Sequence, residues 1–160
     1  MKVGIVMGSE SDLAVMSEAK KVLEELGVHA EMRVLSAHRT PDETGAFARD
    51  AAKNGIGVLI AGAGLAAHLA GAMVANTILP VIGVPLAAST LGGLDSLLST
   101  VQMPAGLPVA TVAIGGAQNA GLLAASILAL ADPELAARLQ ARRAQMRDKV
   151  LAADARVRGA

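Results

Sequence analysis

The chain has 160 residues, with Lys+Arg and Asp+Glu both 14, a formal net charge of zero, a single aromatic residue (Phe47) and no cysteine. A balanced charge leaves no basic excess to neutralise nucleic-acid phosphates, and one aromatic gives no platform for stacking bases, so a nucleic-acid partner is excluded. Without cysteine there are no disulfides or thiolate metal sites, and His29, His38 and His68 show no ligand spacing, so no metal is expected.

The length suits one domain spanning residues 1–160. Between Gly55 and Ala131 the only charged residue is Asp95, yet Pro80, Pro85, Pro104, Pro108 and many glycines interrupt the stretch. No clean apolar run of about 20 residues remains to span a membrane, so no membrane partner is expected. Helices with so few charges to solvate them point to faces covered on both sides, and hence to a homo-oligomer. The N-terminus leads straight into a strand without the features of a secretory signal, which makes the cytoplasm the expected location.

Lys2 to Met7 is a nearly continuous apolar run, as expected of a parallel strand buried on both faces. Gly8-Ser9-Glu10-Ser11-Asp12 follows, opening a helix with apolar positions Leu13, Met16, Ala19, Val22, Leu23 and Leu26, closed by Gly27. One of Ser9, Ser11 and Asp12 is expected to cap that helix, and the others to bind. A Gly-Ser loop between a strand end and a helix start is where doubly wound proteins bind phosphate.

Ala30 to Leu35 forms a second strand. After it, Ser36-Ala37-His38-Arg39-Thr40-Pro41 puts an imidazole and a guanidinium just outside a helix start. Thr40 reads as the N-cap, Pro41 as the first helical residue and Glu43 as the partner in a capping box. A proton-transfer group and a fixed cation beside free backbone N–H groups suit an anionic substrate.

The second helix runs from Pro41 to Asn54 and a third strand from Val58 to Ala61. Gly62-Ala63-Gly64-Leu65-Ala66-Ala67 is formally a dinucleotide fingerprint, but it follows the third strand and lacks an acidic residue about 20 positions on. Its expected value is small side chains and backbone that a ligand can approach closely. His68 falls about one turn into a helix from Ala66 to Thr77, where a buried structural histidine is the favoured reading. A fourth strand (Val81 to Val84), a short helix around Leu94 to Ser99 with Asp95 at its start, and a fifth strand (Val109 to Ile114) follow. The apolar helix Gln118 to Leu130 should be buried centrally. A charged helix from Glu134 to about Leu151 should dock through Leu135, Leu139, Met146 and Val150. Alternating strands and helices define an α/β fold with one open, doubly wound parallel sheet of the flavodoxin-like kind, plus a C-terminal helix.

Five ordered motifs then resemble the PurE family, the N5-carboxyaminoimidazole ribonucleotide mutases of purine biosynthesis. They are Met7-Gly8-Ser9-Glu10-Ser11-Asp12, Ser36 to Pro41, Ala61-Gly62-Ala63-Gly64 continuing to Ala66-Ala67-His68-Leu69, Gln102-Met103-Pro104, and Asn119-Ala120 to Ala125. The resemblance implies a three-layer α-β-α sandwich, an octamer with active sites where subunits meet, and a small-molecule nucleotide substrate. It further implies His38 as the acid/base, and Ser9, Ser11, Asp12 and Arg39 as holders of the ribose phosphate and imidazole. Gly8, Ser36 and Ala37 lie in the same matched motifs and are expected to line the substrate site. Gly62, Ala63, Gly64, His68 and Leu69 are implied to wall the carboxylate pocket. Leu65 and Ala70 depart from the commonest version of this motif, which has Gly and Pro at these positions.

The implied reaction moves a carboxylate from an exocyclic nitrogen to ring carbon C4 through decarboxylation and recapture of carbon dioxide. It calls for no cofactor, ATP or metal. An imidazole, with an intrinsic pKa of about 6.5, can donate at one end of this course and accept at the other. The alternatives are the related carboxylase using free carbon dioxide, and a flavodoxin-like nucleotide-binding module without chemistry. The second is disfavoured because Phe47, on a helix, is a poor flavin neighbour.

Overall fold

The structure, a computed structural model, describes residues 1–159. Five strands form one sheet: β1 (Lys2–Met7), β2 (Ala30–Val34), β3 (Ile56–Gly64), β4 (Val81–Leu86) and β5 (Ala110–Thr111). Every ladder is parallel and the order is β2-β1-β3-β4-β5, the flavodoxin-like order. Six helices connect or follow them: α1 (Leu13–Glu25), α2 (Pro41–Asp50), α3 (Leu69–Val74), α4 (Leu94–Val101), α5 (Ala117–Leu128) and α6 (Pro133–Arg158).

Because side chains alternate along a strand, β1 feeds two cores. Val3, Ile5 and Met7 pack with Met16, Ala19 and Leu23 of α1 and with Ala120, Ala124 and Leu128 of α5. Val6 packs on the opposite face with Leu59, with Ala48 of α2, and with Leu69 and Met73 of α3. The result is three layers, and each fully buried Ile, Leu or Met contributes about 1.5 to 3 kcal/mol by leaving water. Gly121 lets α5 lie directly on α1: a Cβ there would come within 2.8 Å of the Ala19 carbonyl oxygen.

Several boundaries differ from the sequence expectation. β3 continues to Gly64, because the small residues Gly62-Ala63-Gly64 still pair with β4. β5 is only a two-residue edge strand, its predicted ends bounded by Pro108 and Gly115. In α6 only Leu135 is buried, with Leu139 partly so, whereas Met146 and Val150 are exposed rather than docked. The helix is tied down over its first three turns: Asp132 Oδ1 accepts from Leu135 N–H at 3.0 Å, Arg138 Nε donates to the Leu26 carbonyl at 2.8 Å, and Arg142 pairs with Glu25 of α1 at 2.8 Å. Helix α5 is buried on its Ala and Gly face but leaves Leu123 exposed. No helix among the described residues is long and apolar enough to cross a membrane.

Candidate active site

In a parallel sheet the loops at the carboxyl ends of the strands gather on one edge, and β1 and β3 flank the point where the strand order reverses. A cleft of about 650 Å³ opens there. It is lined by Gly8, Ser9, Ser11 and Asp12 after β1, by Ser36 to Arg39 after β2, and by Ala63 to Ala66, His68 and Leu69 at and after the end of β3. The volume suits a nucleotide-sized ligand.

The loop after β2 is built differently from the expected capping box. Thr40 makes no side-chain bond to α2. Its hydroxyl instead closes the turn on Ser36, accepting from Ser36 N–H at 2.8 Å and donating to the Ser36 carbonyl at 3.1 Å. Thr40 N–H also reaches the Ser36 carbonyl, at 2.9 Å. A turn fastened this way at its base projects Ala37, His38 and Arg39 into the cleft. The first N–H groups of α2 are left without a side-chain cap, which keeps that helix end available to an anion.

Arg39 then bridges two loops. One guanidinium nitrogen donates to the Gly8 carbonyl at 2.9 Å, and Nε reaches Ser36 Oγ at 3.4 Å. On the first loop Ser9 Oγ accepts from Ser11 N–H at 3.3 Å, so Ser9 is the capping residue, but of the 3-10 turn Glu10–Asp12 that precedes α1. Ser11 Oγ lies 3.0 Å from Ser9 Oγ, which gathers two hydroxyls beside Arg39. Partial burial pushes the Asp12 carboxyl above its ordinary range, against the opposing pull of hydrogen bonds from Ser9 and Ser11 and the charge of Arg39.

A carboxyl raised in this way makes the native state bind more protons than the unfolded one between the ordinary value, about 3.9, and the raised one. Stability therefore falls as pH rises through that window, and the cost persists above it. Asp12→Asn is expected to melt no lower than the unsubstituted protein at neutral pH, with its advantage vanishing as the pH drops below the carboxylate range. Thermal denaturation at a series of pH values checks this.

The third loop corrects the reading of His68. Helix α3 begins at Leu69, because Leu65 takes a left-handed backbone (φ 54°) and Ala66 and Ala67 turn the chain again. His68 N–H bonds to the Ala66 carbonyl at 2.8 Å, and Ala67 N–H is held by Ser99 Oγ at 3.0 Å. His68 is thus neither inside the helix nor buried. Its Nδ1 lies 2.8 Å from His38 Nε2, and the two rings meet edge to face at 4.9 Å between centroids. One nitrogen must donate and the other accept, so the two imidazoles hold a proton between them.

Gly62 is the one expected site residue that does not line the cleft; it is buried in β3, where a side chain would collide with Met16. Gly64 is required by Ala88, which occupies the place of its missing side chain and itself lines the cleft from the loop after β4. Ala88 carries no chemical signal in the sequence, and only the topology of the strand ends would have pointed to it. Ala70 is buried in the first turn of α3, facing Gly83 of β4, so its departure from the family motif lies outside the cleft. Leu65, the other departure, lines it. A left-handed backbone costs a leucine about 1 to 2 kcal/mol. Among the described residues no group of three or more His, Asp or Glu stands close enough to hold a metal.

Fold and cleft together define an α/β protein that gathers hydroxyls, a guanidinium and two paired imidazoles at the sheet's switch point, a set that can take a small anionic ligand and exchange a proton with it. A family model described as AIR carboxylase matches residues 2–149, and the chain belongs to that family. It is 56% identical over 150 residues to the N5-carboxyaminoimidazole ribonucleotide mutase of Thermotoga maritima, covering 94% of this chain and 88% of that protein. It is 57% identical over 154 residues to the protein of the same name from Mycobacterium tuberculosis (strain H37Rv), covering 96% and 88%. Among solved structures, Treponema denticola PurE superposes with a TM-score of 0.88 at 28% identity, covering 96% of each chain.

Proposed function

We propose that this chain is an N5-carboxyaminoimidazole ribonucleotide mutase of purine biosynthesis, acting in the cytoplasm. The observation that carries the reading is the His38–His68 pair, at 2.8 Å, beside the Ser9, Ser11 and Arg39 cluster in one cleft. It is supported by relatives of that name at more than half identity over nearly the whole chain.

Ser9, Ser11, Arg39 and the start of α2 take the ribose phosphate, as a cluster of hydroxyls, a guanidinium and free N–H groups should. Gly8, Ser36 and Ala37 form the floor against which Asp12 orients the aminoimidazole. The N–C bond of the carbamate breaks with its electron pair left on nitrogen, which takes a proton from protonated His38 and releases carbon dioxide. C4 of the electron-rich ring then gives an electron pair to carbon dioxide, and the C4 proton passes to the now neutral His38. Nitrogen keeps the electron pair of the broken bond and C4 supplies the pair of the new one, so electrons and protons both balance over one turnover and no redox partner is needed. His68 keeps His38 oriented through their shared hydrogen bond, and Ala63, Gly64 and Leu69 wall the carboxylate end.

Supplying the N-carboxylated nucleotide without bicarbonate tests this reading. The C4-carboxylated isomer should accumulate at an enzyme-dependent rate. Formation only from the uncarboxylated nucleotide with bicarbonate would assign the carboxylase activity instead.

The same proposal includes a homo-oligomer, with eight subunits as the family resemblance implies. It is supported by Leu91, Leu94, Leu98 and Val101, which stand exposed on and before α4. Gln102 and Asn119, from two of the matched motifs, are also exposed and lie outside the cleft of their own chain. Light scattering at micromolar concentration should give a mass several times that of one chain, and a stable monomer would contradict it.

A further inference from the structure

Leu65 is the one non-glycine residue among those described that holds a positive φ, 54°, and its side chain is 57% exposed while lining the cleft. A strained backbone usually persists because surrounding packing fixes it, and a side chain this exposed receives little packing from its own chain. Glycine would take this conformation without steric strain. The use of the leucine must lie in what its side chain does at the cleft. It stands in the same short loop as His68, hence on the wall where the histidine pair moves protons, while the serines and Arg39 occupy the loops after β1 and β2. The neighbouring wall residues Ala63, Gly64, Ala66 and Ala88 are too small to cover anything, so Leu65 is the large exposed apolar group at this end.

We propose that Leu65 is a positioning residue that covers the histidine end of the cleft, excluding water and holding released carbon dioxide until C4 captures it. The inference rests on the mutase reading above. Carbon dioxide has no charge and no hydrogen-bond donor, so an apolar cover retains it by shape and by denying it a path to water. Loss of that cover changes how each turnover ends more than how it begins. Decarboxylation still occurs, but a larger share finishes as uncarboxylated aminoimidazole ribonucleotide and bicarbonate.

The test compares Leu65→Gly, Leu65→Asn and Leu65→Met in the full-length oligomer. It reads the ratio of uncarboxylated to C4-carboxylated nucleotide formed from the N-carboxylated substrate, after subtraction of the enzyme-free loss. Leu65→Gly should raise the melting temperature by about 2 to 4 °C through relief of the left-handed leucine. The same variant should raise the leak ratio about fivefold to tenfold, the effect of losing roughly half of a leucine's apolar contact. Asn tolerates the left-handed region and is similar in size but polar, so Leu65→Asn should leak as well. Leu65→Met, apolar and flexible, should restore the low ratio. An unchanged leak ratio in Leu65→Gly and Leu65→Asn would overturn the proposal, as would dissociation of the oligomer in all three variants, which would make Leu65 an interface residue. If the unsubstituted enzyme forms no C4-carboxylated product from this substrate, the mutase reading itself fails; a converting enzyme with an unchanged ratio in the variants removes Leu65 alone.

Discussion

His38→Asn is expected to lower turnover by about 100- to 10,000-fold while leaving affinity for the nucleotide within about tenfold. Asparagine keeps the approximate size of the side chain and one hydrogen-bonding edge toward His68, but it cannot give a proton to the leaving nitrogen and take one from C4. The turn that presents His38 is fastened by Thr40 on Ser36, so the substitution leaves Ser9, Ser11 and Arg39, the proposed phosphate holders, in place. Steady-state kinetics with a separate binding measurement checks both halves. Turnover within a few fold of normal would remove His38 from the chemistry, and a collapse of affinity would make it a binding group.

Arg39→Ala is expected to act the other way, weakening nucleotide binding by about 1.5 to 3 kcal/mol, or roughly 10- to 150-fold, with a much smaller effect on turnover at saturation. The guanidinium has five N–H donors, and the contacts to the Gly8 carbonyl and Ser36 Oγ leave others free for an anion. Its loss also separates the first loop from the second and removes the positive charge beside Asp12, which should push that carboxyl further up. Arg39→Lys should recover the charge but not the planar fork, giving partial rescue. Titration calorimetry with the product nucleotide measures the affinity directly, and a defect confined to turnover would place the phosphate elsewhere.

Much of this arrangement was legible from residue order. The apolar runs of β1 and β4 and the amphipathic spacing of α1 report local physics, so β1 was placed to the residue and β4 and α1 to within about two residues. The crowding of Ser9, Ser11, Asp12, His38 and Arg39 at strand ends followed once a parallel sheet was inferred, because parallel strands deliver their following loops to one edge. What failed depended on tertiary partners. Thr40 has the right spacing for a capping box, but the Ser36 backbone competes for its hydroxyl. His68 looked helical and buried because Ala66 and Ala67 favour helix, whereas the left-handed Leu65 and the bond from Ala67 N–H to the distant Ser99 delay the helix start. The pairing of His38 with His68 spans thirty residues of sequence and has no local signature. Gly62 was assigned to the ligand wall, yet its missing side chain makes room for Met16 on the far side of the strand.

In the proposed mutase, one carboxylate moves between two atoms of one bound nucleotide inside the cleft of His38 and His68. Substrate labelled in its carbamate carbon, supplied in excess unlabelled bicarbonate, tests it most directly. Retention of most of the label in the C4 carboxylate is predicted, because recapture inside a covered site outruns exchange with solvent. Complete dilution of the label, together with a good rate from the uncarboxylated nucleotide and bicarbonate, would contradict the mutase and establish the carboxylase.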